Sequence, residues 1–352
     1  MNVEKRTRTA SDPTAGADLT LRDIARLAGV SISTVSRVIN RRDIVALSKQ
    51  KAVDKVLKQF SYIPNNAARL LISGRSMTIG LVVPTMSNPL FAPTIEGAEE
   101  TLRAAGYGVL VACSNRDPDR ELDQAKTMME RGVDGMILTG ANHRPNLLTL
   151  LRAKRIAAVF QDCSHSYPGF LSIAMQDAAA MALAIDTLVE RGHRRIALLT
   201  GPTGNTPPVA DRLRGARKQL AKHGLQVDAS DIAETPDYDA ASAREAVSRL
   251  LTRRPRYTAI ACTGDILALG AIMAIRQAGL AVPADISIIG CSDSVMAQYV
   301  DPPLTTIQLP FKRMGEIAAE QLLLGLENHR LSGLKTLDYQ LMDRQSVRRF
   351  KP

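Results

Sequence analysis

The sequence predicts an α/β protein, with a small helical head in front of a larger core built on parallel sheets. Three observations carry this. Basic charge is concentrated at the front: residues 1–75 hold 14 Lys and Arg against 6 Asp and Glu, whereas residues 76–352 hold 31 against 29. Apolar residues in that front segment follow helical spacing around a glycine turn. From Thr78 onward, short apolar runs alternate with amphipathic helical stretches, the texture of parallel sheets covered on both faces. At 352 residues and 45% hydrophobic, the chain has material for two or three domains. The net charge is +10. An even surplus would point to loose surface binding; a concentrated one points to a polyanion-binding module.

Residues 1–18 are polar, with Pro and Gly, and read as a disordered tail. The head spans 19–61. LTLRDIARLAGVSISTVSRVIN reads as two short helices separated by Gly29-Val30-Ser31. Thr20 with Asp23 has the form of a capping box. Gly29 can take the positive φ of a helix end and Ser31 can cap the next helix. Such a pair in a basic segment has the form of a helix-turn-helix, whose second helix would lie in a DNA major groove. An αα-hairpin that only packs a core is the alternative. A third helix carries Val53, Val56, Leu57 and Phe60 on one face and Lys49, Lys51, Lys55 and Lys58 on the rest, so three helices can share a core. Residues 62–77 read as a hinge. Pro64 stops the preceding helix, Asn65 can cap a short new one and Gly74 can end it.

In the core, strand-like runs fall at 79–83, 108–112, 135–138, 156–160, 195–199, 258–262 and 286–289. Helical stretches fall at 95–105, 120–131, 178–191, 211–223, 242–253 and 265–278. The two sets of strands, before and after about residue 177, suit two sheets and hence two subdomains, 78–177 and 178–308. Ligands of open α/β sheets bind outside the carboxyl ends of the strands. Two facing subdomains would therefore hold a ligand between them.

Other function classes find little support. Cys113, Cys163, Cys262 and Cys291 are far apart with no CxxC pair, and read as buried reduced thiols of a reducing cytoplasm. No apolar run approaches the ~18 residues of a membrane span. The front lacks the apolar stretch of a secretory signal. There is no GxGxxG after a strand, no GxxxxGK[ST], no GxSxG and no HExxH, so neither an enzyme nor a cofactor is indicated. His193, in RGHRR, reads as structural. A free-standing small-molecule-binding protein would fit the core but not the basic head.

The order of parts resembles the lactose-repressor/galactose-repressor (LacI/GalR) family of bacterial transcription regulators, from about Thr20 to about Val347. TLRDIARLAGVSISTVSRVIN resembles its DNA-reading head and YIPNNAARLL its hinge. TIGLVVPTMSNPLFAPTIEGAEE resembles the first strand, loop and helix of its effector domain. RGVDGMIL, RGHRRIALLTGP, DILALGAIMAIRQAGLAVPADISIIG and DPPLTTIQLP resemble later landmarks, in order. The resemblance implies a core like periplasmic sugar-binding proteins, crossed three times by the chain. Residues 309–338 would then return to the first subdomain and 339–347 to the second.

The resemblance also implies sites. Ile32, Ser33 and Arg37 match base-contacting places, and an Arg can fork two hydrogen bonds to a guanine edge. Ser31, Thr34, Ser36 and Asn40 fit phosphate or capping roles. In the hinge, Asn65 is a further DNA-side residue and Leu71 matches a leucine wedged into the minor groove. In the cleft, Leu90 and Phe91 match ligand-facing apolar places, and Thr139, Asp162 and Arg212 match polar ones. Gly264 and Ser292 stand where the family often has Asn and Asp. Losing an acid near Arg212 argues against a common neutral hexose and for an anionic ligand, such as a sugar acid. The expected protein is a cytoplasmic, dimeric regulator, most simply a repressor. It binds a palindromic operator in double-stranded DNA and is switched by a small effector. The tail DYQLMDRQSVRRFKP has no leucine heptads, so a tetramerising segment is not expected.

Overall fold

The structure is a computed structural model and describes residues 19–40, 44–60, 74–252, 257–327 and 330–351. The hinge helix expected between 62 and 73, with Asn65 and Leu71, lies outside the described residues, as does the tail. The chain divides into two compact units at Ser76/Met77.

The first unit contains α1 (Leu21–Ala28), α2 (Ile32–Asn40) and α3 (Leu47–Gln59). Thr20 and Asp23 form the capping box that opens α1, satisfying backbone donors that a helix start leaves free. Gly29 closes α1 at φ 66°, ψ 32°, a left-handed conformation that costs a residue with a Cβ about 1 kcal/mol. Ser31 Oγ then accepts from the Thr34 amide at 3.2 Å, and α2 begins. Ile24, Ala25, Val35, Val38, Val53 and Val56 form the shared core. Leu57 and Phe60, expected on the same face, pack at its margin and are only partly buried.

The second unit holds two six-stranded sheets. The first comprises β1 (Thr78–Val83), β2 (Gly108–Cys113), β3 (Gly135–Thr139), β4 (Ala157–Gln161), β5 (Leu171–Met175) and β11 (Gly333–Leu337), in the order β11-β5-β4-β3-β1-β2. All its pairs are parallel. The second comprises β6 (Ile196–Thr200), β7 (Ile232–Glu234), β8 (Ala259–Cys262), β9 (Ser287–Ser292), β10 (Thr305–Gln308) and β12 (Gln340–Met342), in the order β12-β10-β9-β8-β6-β7. Its pairs are parallel except at one edge, where β12 runs antiparallel to β10, as edge strands of α/β sheets often do.

The helices are α4 (Ala92–Ala104), α5 (Pro118–Glu130), α6 (Pro145–Ala153), α7 (Asp177–Glu190), α8 (Pro207–Lys222), α9 (Ala240–Leu251), α10 (Asp265–Gln277) and α11 (Phe311–Leu326). The chain passes between the sheets after β5, after β10 and after β11. On the second passage α11 settles against α4. Glycines let the two backbones meet: a Cβ on Gly97 would strike the Lys312 carbonyl, and one on Gly315 that of Thr94. One apolar cluster runs through both sheets, including Leu81 and Ile173 of the first and Leu198 and Ile289 of the second. Cys163, Cys262 and Cys291 are buried and unpaired. Cys113 departs from the expectation of burial: it is half-exposed because β2 is an edge strand.

Candidate functional site

On the head, α2 turns two faces in opposite directions. Val35 and Val38 enter the core. Ile32, Ser33 and Arg37 are exposed on the other side, with Ile32 at 44% of its full accessibility. Neither Ile32 nor Arg37 is spent on the core or on an ion pair among the described residues, so both are available to a partner. Ser31 Oγ shares hydrogen bonds of 2.8 Å with Ser33 Oγ and with Thr34 Oγ1. Ser33 is therefore already tied into the cap, and any further contact competes with that bond. Ser36 and Thr34 are half-buried. Asn40 ends α2, and its side chain lies outside the described residues. Lys49, exposed at the start of α3, shares a shallow depression with Ser31 and Thr34.

In the second unit, a cavity opens where the carboxyl ends of the strands converge. Segments after β1, β2 and β4 supply Leu90, Arg116 and Asp162, the last residue of β3 is Thr139, and segments after β6 and β7 supply Arg212 and Tyr238. Five of the seven residues expected in a cleft thus meet in one wall: Leu90, Phe91, Thr139, Asp162 and Arg212. Asn88 sets the first loop by accepting from the Leu90 amide at 3.0 Å. Thr139 Oγ1 accepts from Gln161 Nε2 at 2.9 Å, which leaves its own proton to donate.

Gly264 and Ser292 do not join this wall. Gly264 precedes α10 and lies beneath Tyr238, whose hydroxyl donates to the Thr263 carbonyl at 3.1 Å. A Cβ at 264 would collide with that hydroxyl. The glycine is thus explained by the tyrosine, a pairing 26 positions apart that spacing cannot reveal. Ser292 is buried at the end of β9, with φ 131°, and lines a separate groove. The neighbouring Asp265 is spent internally, accepting from Thr306 Oγ1 and the Ser294 amide, both at 2.6 Å.

Arg212 is 2% exposed. Its Nε donates to Asp177 Oδ1 at 2.6 Å and one Nη donates to the Thr263 carbonyl at 2.9 Å. The sequence reading gave this fork to a ligand; the fold gives two of its arms to the protein. Burial works against the charge, and the Asp177 carboxylate outweighs it, so the guanidinium stays protonated. Only the second Nη is left without a hydrogen bond among the described residues.

Two wall residues are unmatched. Arg116 was not singled out from sequence. It makes no hydrogen bond or salt bridge among the described residues, and its charge is felt by Asp162 and Tyr238. Asp162 likewise makes no hydrogen bond among the described residues, and its Oδ1 is buried without a partner. Burial, with repulsion from Asp177, pushes its carboxyl up to about 7, while Arg212 and Arg116 pull it back. Both residues hold left-handed backbone, φ 58° for Arg116 and 53° for Asp162. Strain of roughly 1–3 kcal/mol per such residue collects at functional sites.

Behind the wall, His143 Nδ1 lies 2.7 Å from Glu121 Oε2 and its Nε2 lies 2.8 Å from the Gly140 carbonyl. Both ring nitrogens face acceptors, so the ring is an imidazolium. Burial opposes that charge, and hydrogen bonds with Cys163 and Glu121 outweigh it, raising the ring to about 9. This clamp fixes Gly140–Asn142, which forms part of the cavity wall. Among the described residues no group of metal-ligating side chains is present and no helix is long and apolar enough to cross a membrane.

Comparison with known proteins gives a consistent picture. Residues 20–65 match the family of bacterial regulatory proteins of the lacI type, and residues 185–347 match a periplasmic binding protein-like domain. The HTH-type transcriptional repressor PurR of Photobacterium profundum is 35% identical over 307 residues, covering 86% of this chain and 91% of that protein. The ribose operon repressor of Escherichia coli K12 is 33% identical over 308 residues, covering 86% and 92%. Among solved structures, the Lac repressor dimer bound to operator and the anti-inducer ONPF superposes with a TM-score of 0.84 at 27% identity, covering 94% of this chain and 100% of that one. A complex of the transcriptional regulator CelR with cellobiose gives 0.69 at 27% identity, covering 93% and 99%.

Proposed function

Since the chain belongs to the lacI family of bacterial regulatory proteins, we propose that it is a dimeric, operator-binding transcriptional repressor whose affinity for DNA is set by a small molecule in the cavity of its second unit. One observation carries the DNA side: α2 buries Val35 and Val38 and turns Ile32, Ser33 and Arg37 to solvent. Arg37 reads a guanine edge, Ile32 touches thymine methyls and Ser33 adapts once released from Ser31. Ser31, Thr34, Ser36 and Asn40 position the helix on phosphates, which fixes register without specifying sequence. Asn65 belongs to the hinge and Leu71 is its minor-groove wedge. A dimer maps its two-fold axis onto a palindromic site.

Leu90, Phe91, Thr139, Asp162 and Arg212 face the effector, and Gly264 and Ser292 act indirectly, through Tyr238 and the end of β9. The protein works by binding and not by catalysis, in the cytoplasm where its DNA is. Ligand and DNA are coupled because each biases the same equilibrium of the chain. The test has two steps. Selection from random DNA should return a palindrome. A metabolite screen by thermal shift, repeated with that DNA, should return a ligand whose binding changes the DNA affinity. Recovery of no enriched sequence, or a ligand with no effect on DNA affinity, would refute the proposal.

A further inference from the structure

The walls of the cavity say which ligand chemistry it accepts. Three polar functions point to it without protein partners among the described residues: the whole Arg116 guanidinium, the second Nη of Arg212 and the Asp162 carboxyl. Asp162 Oδ1 is also buried, which is costly until something satisfies it. The two guanidinium groups offer donors only, so they call for an acceptor, and a carboxylate satisfies their planar fork best. The Arg212 charge is matched by Asp177 at 2.6 Å, whereas Arg116 has no ion pair among the described residues and only the longer-range influence of Asp162 and Tyr238. Asp162 can take a hydrogen bond from a hydroxyl when ionised, or give one when neutral.

The rest of the wall is mixed: Asn88, Ser114, Asn142, Asn205 and Thr206 line part of it, and an apolar stretch lies beside them. Helices α5 and α8 both start at the cavity, and helix starts ordinarily present free amides. Here Pro118 opens α5, where the Asp117 carboxylate takes the next two amides, and Pro207 and Pro208 open α8, where the Thr206 carbonyl takes the next two, so those donors are not left for a ligand. Leu90, Phe91 and Val209 add aliphatic and aromatic surface. Tyr238, seated over Gly264, closes that side with a ring whose hydroxyl is already used on the Thr263 carbonyl.

We infer that the cavity ligand is a hydroxyaryl carboxylate: one carboxylate on Arg116 and the free Nη of Arg212, a flat apolar body between the prolines and Tyr238, and a hydroxyl on Asp162. This rests on reading the cavity as the effector site, and deepens it by replacing a sugar or sugar acid with a flat aromatic acid.

The experiment is isothermal titration of the full chain with ortho-, meta- and para-hydroxybenzoate, para-hydroxybenzamide, gluconate and ribose. At least one hydroxybenzoate should bind. Its affinity should fall roughly 10- to 100-fold in Arg116→Gln, the loss of one charge-assisted contact, and by a similar factor for the neutral amide against wild type. Arg116 has no protein partner among the described residues to lose, so the variant should keep the wild-type melting temperature. Absence of binding by all three hydroxybenzoates at about 1 mM, or tighter binding of gluconate or ribose, overturns the inference. In that case the cavity reading stands if Asp162→Asn weakens whichever probe binds. Hydroxybenzoate affinity unchanged in both Arg116→Gln and Asp162→Asn overturns the cavity reading itself.

Discussion

Arg212 and Asp177 hold each other at 2.6 Å inside the second unit, with side chains only 3% and 8% accessible. They come from near the starts of α8 and α7, so the pair ties two helices together behind the cavity wall that Arg212 lines. Removing one partner strands a buried charge. Asp177→Ala should therefore destabilise the unit by about 3–5 kcal/mol, read as a lower urea midpoint. Replacing both at once, Asp177→Leu with Arg212→Met, should cost less than the sum of the single changes. Additive losses would mean that the two do not act as a pair.

Tyr238 and Gly264 compete for the same space. Gly264→Ala should force the ring aside, at about 1–3 kcal/mol for overpacking, visible as a drop in melting temperature. Tyr238→Leu should relieve part of that penalty in the double variant, because the clash lies with the hydroxyl and the ring carbon that bears it. If Gly264→Ala proves as harmful with leucine at 238 as with tyrosine, the glycine answers to something else.

The buried His143–Glu121 pair makes stability depend on pH. The folded ring titrates near 9 against an ordinary value of 6.5. A raised folded value means the contribution is complete below about 6.5 and is lost as pH climbs through 9. It amounts to roughly 3 kcal/mol at full strength. Tyr167 packs edge-on against the same ring. Urea midpoints measured at intervals between those limits should fall with rising pH, and His143→Gln should flatten the slope. An unchanged slope in the variant would place the dependence on other groups.

What could be read from the sequence follows distance along the chain. Thr20 with Asp23, Gly29 and Ser31 act within one turn of themselves, and their capping roles are visible in the residues alone. The alternation of apolar runs with helices is likewise local, and gives the fold class. The elements not anticipated are β5, β7, β10, β11, β12, α6 and α11. β7 and β12 have three residues each, and β11 is an exposed edge strand held by backbone pairing to β5, some 160 positions earlier. Such strands carry no alternation to detect. The site divides too. Leu90, Phe91, Thr139, Asp162 and Arg212 are legible only through the family resemblance, by their places in its motifs. Asp177 beside Arg212, His143 beside Glu121 and Tyr238 over Gly264 are contacts made only when the strands take their order. Arg116 gives no local signal at all; its importance is the absence of a partner.

The exposed face of α2 and the depression beside it should contribute differently to DNA binding. Arg37 stands where it can reach a base edge, so Arg37→Ala should cost about 1–3 kcal/mol on the selected palindrome and little on random DNA. Lys49 is exposed at the start of α3, at the depression that includes Ser31 and Thr34, a place suited to a phosphate. Lys49→Ala should weaken binding to both DNAs alike and reduce the slope of log affinity against log salt by about 1 per subunit. Fluorescence anisotropy on both DNAs across a salt series separates the two. Equal losses on specific and random DNA for the arginine variant would remove Arg37 from the reading surface and assign it to the backbone.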